Sequence, residues 1–300
     1  MNEPGSSIED SYGYCRQMAR RSRSNFYPSF MLLPREKRMA MDALYAFMRH
    51  TDDLGDNEDP PQRRGEALQL WREQLLTALG EEAASATQRE PAVLILPALA
   101  DAVGRYNIPA ESLTDVIEGV EMDLVPRRYQ TFDELAEYCH RVASAVGLAC
   151  IHIWGFDGPA AIEPARKCGL AMQLTNILRD LKEDAEAERI YLPEEDFHNC
   201  GYTPEQLCRG ETGAGFERLV ELEFERARSF YRDGSTLFEH LQPDGRRIFG
   251  MMMSVYYRLL LKVRRSGSGI LDGRVRLSRF EKLRIAGRWL IAPPGRLILD

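Results

Sequence analysis

Residues 45–56 read YAFMRHTDDLGD, and residues 173–184 read QLTNILRDLKED. On an α-helix Tyr45, Arg49, Asp52 and Asp56 step by 4, 3 and 4 residues, so they share one face. Gln173, Asn176, Asp180 and Asp184 step by 3, 4 and 4 and share a face too. Leu170, Leu174, Ile177 and Leu181 occupy the neighbouring angles of the second helix. A polar stripe bordered by apolar residues is out of place on a purely solvated helix. It predicts two helices that turn their acidic faces into a wet cavity inside a bundle.

Outward from these stretches the same 3.6-residue period continues nearly everywhere. It predicts helices over residues 7–22, 34–53, 62–79, 92–106, 109–120, 131–154, 164–183, 204–208, 214–241 and 245–265. A last helix starts at Ser278 and is interrupted at Pro293 and Pro294. Proline and glycine punctuate the chain, and Pro34 is expected in the first turn of its helix. No alternating apolar–polar runs joined by Asn-Gly or Asp-Gly turns occur, and no repeat at a fixed period. The expectation is an all-α, single-domain bundle over residues 1–300 with a central cavity. Residues 81–90 read as a mobile connection and 278–300 as a C-terminal tail.

Composition narrows the function. The chain has 300 residues, 44% of them apolar, with a net charge of −7. That charge argues against general nucleic-acid binding, which uses a basic face. Cys15, Cys139, Cys150, Cys168, Cys200 and Cys208 form no C-x-x-C pair, so neither a zinc site nor a redox motif is suggested. They read as reduced, mostly buried thiols of a cytoplasmic protein. The N-terminus lacks the basic-then-apolar order of a signal peptide. The longest uncharged run, residues 142–156, is shorter than the ~20 residues that span a bilayer. Neither GxGxxG nor GxxxxGK[ST] is present.

The acidic faces suit a divalent cation. Carboxylates one turn apart repel, and a cation between them removes the penalty. Magnesium takes oxygen ligands, commonly one or two carboxylates plus substrate phosphate oxygens. An Asp-x-x-x-Asp pair alone usually marks a solvated face. Two such pairs, each with polar partners in phase and an arginine alongside, form a coherent clamp for a diphosphate leaving group. His50 and His140 flank the motifs but point elsewhere, which assigns them surface or core roles.

Both stretches resemble the two signature regions of the squalene and phytoene synthases, the second continuing through Arg189 to Pro193 (R-x-YLP). SNFYPSFMLLPREKRMAMDALYAF at 24–47, GVEMDL at 119–124 and YCHRVASAVG at 138–147 resemble other blocks of that family. The wording of the motifs is most similar to the presqualene diphosphate synthases of hopanoid biosynthesis.

The resemblance implies a magnesium-dependent prenyltransferase that joins two farnesyl diphosphates head to head. Asp52, Asp53 and Asp56 would be one metal group, and Asn176, Asp180 and Asp184, with Gln173 beside them, the other. Arg49 and Arg179 would contact diphosphate. Phe26, Tyr45 and Tyr138 would line the cavity, with Tyr256 a further candidate whose register Tyr257 leaves open. Where the family often carries His and Lys around Phe26, this chain has Ser22 and Ser24, with Arg23 between. Ring faces can stabilise carbocations without trapping them. The alternatives are an NADPH-dependent squalene synthase, a phytoene synthase using geranylgeranyl diphosphate, or a non-catalytic assembly factor of the same fold. Retention of both acidic clusters speaks against the last. The tail from Ser278 carries Arg279, Lys282, Arg284, Arg288 and Arg296 among Phe280, Trp289, Leu290 and Ile291. Packing on the bundle is its ordinary reading, and peripheral contact with the inner face of a membrane is the other.

Overall fold

The computed structural model describes residues 7–22, 27–80 and 92–291, with residues 295, 297 and 299. Phe26, Arg23 and Ser24, the connection at 81–90 and the break at Pro293–Pro294 lie outside the described residues. The described chain is helical, and its only β pairing is an isolated bridge between Phe156 and Leu241. The helices surround one continuous apolar core.

Local sequence sets several helix ends. Ser7 caps Ile8–Arg21 in a capping box with Asp10. Thr131 accepts from Glu134 N to start Phe132–Cys139. Thr203 and Gln206 form a second capping box before Pro204–Cys208. Gly80, at φ 78°, closes Pro61–Leu79.

The boundaries shift in instructive ways. Arg35–Asp56 runs three residues beyond the predicted end, carrying Asp56 on the helix, and Pro34 is its N-cap rather than a first-turn residue. The expected 214–241 helix stops at Gly234, and a separate turn follows at Leu237–His240. Gly234 explains the close packing there: a Cβ would lie 2.6 Å from Cys168 Sγ. Two short helices, Tyr27–Phe30 and Glu194–Cys200, were not expected; each is too brief to show a period.

The predicted 131–154 helix is one rod with a defect. His140–Ser144 forms a π-helical turn between Phe132–Cys139 and Ala145–Trp154. Glycines on both sides let it sink between neighbours. A Cβ on Gly169 would lie 2.4 Å from Ser144 Cα, and one on Gly119 would lie 2.7 Å from Val142 Cγ1. The Ser144 hydroxyl donates to Arg166 O at 2.7 Å. This rod therefore packs tightly against Ala110–Met122 and Ile162–Glu186. Ile162–Glu186 packs in turn along Ala214–Gly234.

Candidate active site

A cavity of about 1000 Å³, counting its open mouth, runs down the bundle. That is the size of pockets that take whole small-molecule ligands. Met41, Leu44, Tyr45 and Met48 of Arg35–Asp56 form one wall. Val142, Val146 and Ile151 form another, and Cys168, Met172, Gln173 and Asn176 a third. Its polar lining includes Gln173, Asn176 and Tyr256. Of the expected polar stripes, Tyr45, Gln173 and Asn176 line the cavity, and the aspartates lie further along the same two helices.

Trp154 ends one wall helix, and Ala165 stands near the start of Ile162–Glu186. Leu237 and Phe249 also line the cavity, with the Trp154 and Phe249 rings 6.4 Å apart. From Ala165 to Asp180 the helix rises about 22 Å.

At the mouth the carboxylates meet. Asp123, at the end of Ala110–Met122, lies between the two acidic helices. It feels the charges of Asp56 and Arg189, and both Asp52 and Asp184 feel Asp123. Arg189 feels Asp123, Asp56 and Asp184 together. Asp123 accepts hydrogen bonds from Tyr138 Oη at 2.8 Å and Tyr191 Oη at 3.1 Å. The Tyr138 and Tyr191 rings stack at 5.2 Å. Tyr138, expected to line the cavity, instead belongs to this acidic cluster.

Crowding shows in the titration of the group. Burial, then Asp56, pushes the Asp52 carboxyl up to about 6, although water still reaches it. Burial, then Asp180, pushes Asp184 up to about 7. Each is the signature of carboxylates short of positive charge.

The remaining predicted residues are placed as follows. Tyr45 lines the cavity and meets Phe30 edge-on at 6.2 Å. Arg49 pairs with Asp53 at 2.6 Å, both half exposed beside the Asp52–Asp56 face. Asn176 donates to Gln173 Oε1 at 3.2 Å, and its own Oδ1 is buried without a hydrogen-bond partner. Arg179 binds Asp180, with Nε–Oδ1 at 2.7 Å. Tyr256 is buried and hydrogen-bonds with Asn176 and Arg179, whereas Tyr257 packs on Tyr231. Of the two tyrosines, Tyr256 lines the cavity. His50 packs edge-on against Trp71, and His140 lies 3.5 Å from Asp115.

Sequence reasoning assigned no role to Arg274, Asp123, Arg189 or Tyr191. Arg274 Nε lies 2.8 Å from Asp180 Oδ1, and its Nη1 3.6 Å from Glu183. Nothing local marks it, because its partner is 94 residues away. Asp123 stood inside the quoted GVEMDL block with no role assigned. Its helix, Ala110–Met122, already carries Glu111, Asp115, Glu118 and Glu121, so one more carboxylate at its end did not stand out.

The donor set fits magnesium. It is all oxygen, its carboxylates repel one another, and the orphaned Asn176 Oδ1 stands one turn from Asp180. Among the described residues no three acidic, histidine or cysteine side chains gather closely enough to hold an ion alone. A cation completed by phosphate oxygens is the arrangement such a site can hold.

Comparison with known proteins agrees with this geometry. The model of the squalene/phytoene synthase family matches residues 19–281. The chain is 34% identical to a phytoene synthase of Arthrospira platensis over 287 residues, covering 91% of this chain and 90% of the relative. It is 33% identical to a phytoene synthase of Mycobacterium tuberculosis, covering 93% and 90%. A crystal structure of a dehydrosqualene synthase superposes with a TM-score of 0.82 at 27% identity, covering 96% of this chain and 98% of that one. Squalene synthase HpnC from Alicyclobacillus acidocaldarius gives 0.71 at 27%, covering 88% and 93%. The chain belongs to the squalene/phytoene synthase family of prenyltransferase-type enzymes, which condense prenyl diphosphates head to head.

Proposed function

We propose that this enzyme condenses two farnesyl diphosphates to presqualene diphosphate and releases diphosphate. The observation that carries the choice of donor is the wording of the two motifs, which is most similar to presqualene diphosphate synthases; the apolar cavity, with Trp154 and Phe249 in its lining, receives the prenyl tails. Asp52 and Asp56 on one side, and Asn176, Asp180 and Asp184 on the other, would hold magnesium, with Asp53 beside them. Bound there, the metal neutralises charge that builds on the leaving diphosphate.

The chain's own groups do the rest. Arg179 and Arg274 stand at the mouth beside Asp180 and offer guanidinium forks to diphosphate oxygens. Arg49 can join them by leaving Asp53. Ionisation breaks the C1–O bond of one donor and leaves an allyl cation in a cavity walled by Tyr45 and Phe30. The double bond of the second donor attacks that cation, forming the new C–C bond. Loss of a proton closes the cyclopropane. The released diphosphate can take that proton.

A second reading, phytoene formation from two geranylgeranyl diphosphates, is favoured by the names of the curated relatives. Mass analysis after incubation with each donor, with and without NADPH, separates the readings. A thirty-carbon diphosphate from farnesyl diphosphate without NADPH is expected. Squalene that forms only with NADPH, or activity confined to the twenty-carbon donor, contradicts the proposal.

A further inference from the structure

The Arg279–Ile291 helix has two unlike faces. Inward, Trp289 is 2% exposed, packs over Gly250 and donates from its indole nitrogen to Ser254 Oγ at 3.1 Å. Glu281 also turns inward, 3.4 Å from Lys262 Nζ and 3.7 Å from Arg258 Nε. Outward, Phe280 is 75% exposed, Leu283 70%, Leu290 56% and Ile291 86%. At 100° per residue these four and Gly287 form one stripe, on the side opposite Trp289. A helix anchored on one side normally shows water a polar face on the other. Most of this helix lies beyond residue 281, where the family match ends.

We propose that this outer face docks on an anionic lipid bilayer, with the helix lying in the plane of the interface. Charge favours that occupant. Arg279, Arg284 and Arg288 are exposed around the stripe, while the helix's one acid faces the protein. A chain of net charge −7 has no general attraction to an anionic surface, so the cationic rim confines contact to this face. A second copy of the chain fits worse. A two-fold interface would set these arginines against themselves, and a helix about 20 Å long offers less than the ~800 Å² per partner of a stable dimer.

The placement also serves the site. Lys182 Nζ donates to Asp272 O at 3.4 Å, and Arg274 binds Asp180, so the segment leading into the helix is pinned to the cavity mouth. Docking there holds the mouth beside the surface in which prenyl tails dissolve. That advantage rests on the proposed function; the docking does not.

The test uses the full chain without substrate, co-sedimented with vesicles of phosphatidylglycerol and phosphatidylcholine or of phosphatidylcholine alone. Binding to the anionic vesicles is expected, weakened by salt and by omission of phosphatidylglycerol. Leu283→Ser with Ile291→Ser, and Arg284→Glu with Arg288→Glu, should each lower vesicle affinity about tenfold or more. Both variants should keep the wild-type melting temperature and turnover in detergent. No binding, equal binding to neutral vesicles, or unchanged binding of the variants overturns the proposal. So does a wild-type dimer in light scattering that the serine variant dissociates. A chain that binds vesicles yet makes no prenyl product keeps the docking and refutes the function.

Discussion

Asp123 shows what single residues contribute to this site. Its two tyrosine hydrogen bonds hold a charge between the acidic helices. Asp123→Asn keeps the shape and loses the charge, so kcat should fall roughly 10–100-fold with little change in melting temperature. A steady-state assay paired with thermal melting checks this. A second carboxyl is unrelated to catalysis. Glu223 is fully buried, paired with Arg226 through one oxygen, and its Oε2 has no hydrogen-bond partner. Burial pushes its carboxyl up to about 8. The unfolded chain therefore ionises this group first, and its contribution to stability is lost as pH rises from about 4.5 through 8. Glu223→Gln should remove that slope, gaining on the order of 2 kcal/mol over wild type near pH 8, as read by urea titration at pH 5 and 8. At this scale the sequence was legible where residues share a helix face, as Tyr45, Arg49, Asp52 and Asp56 do. Arg274 reaches Asp180 only through the tertiary fold, and no spacing encodes that.

Helix identity was readable from period and punctuation, because most elements are long and amphipathic. Ends were less so. Gly234 breaks a pattern that runs on in hydrophobicity, and the His140–Ser144 π turn leaves no mark on periodicity. That turn depends on its neighbours' glycines. Gly169→Ala forces a Cβ onto Ser144 backbone, which should cost about 1–3 kcal/mol in denaturant unfolding. The cavity lining includes Trp154, at the end of the same rod. Trp154→Ala should cost about 3–5 kcal/mol through the space it opens. It should also shift donor preference toward geranylgeranyl diphosphate, measured as the ratio of kcat/KM for the two donors at low temperature. An unchanged ratio in a folded variant removes Trp154 from chain-length control.

The whole molecule brings two acidic helices, distant in sequence, to one mouth above one apolar shaft. Sequence showed that both faces existed; only the fold shows that Asp123 and Arg189 lie between them. Their mutual repulsion makes the site a cation sink whose strength depends on pH. Asp52 and Asp184 have carboxyls raised to about 6 and about 7, so ionising them costs stability as pH climbs from about 3.8 through those values. Magnesium with diphosphate should therefore raise the melting temperature more at pH 8 than at pH 5.5, where these groups keep their protons. At a hundredfold excess over Kd the gain should be about 2.7 kcal/mol. The most direct test of the two-sided clamp is product formation from farnesyl diphosphate by wild type, Asp52→Asn and Asp180→Asn, each with magnesium and with chelator. The account predicts a thirty-carbon product from wild type with magnesium, loss with chelator, and a fall of at least about 10²-fold in either variant. Wild-type rates in either variant, or product formation indifferent to the chelator, would contradict it.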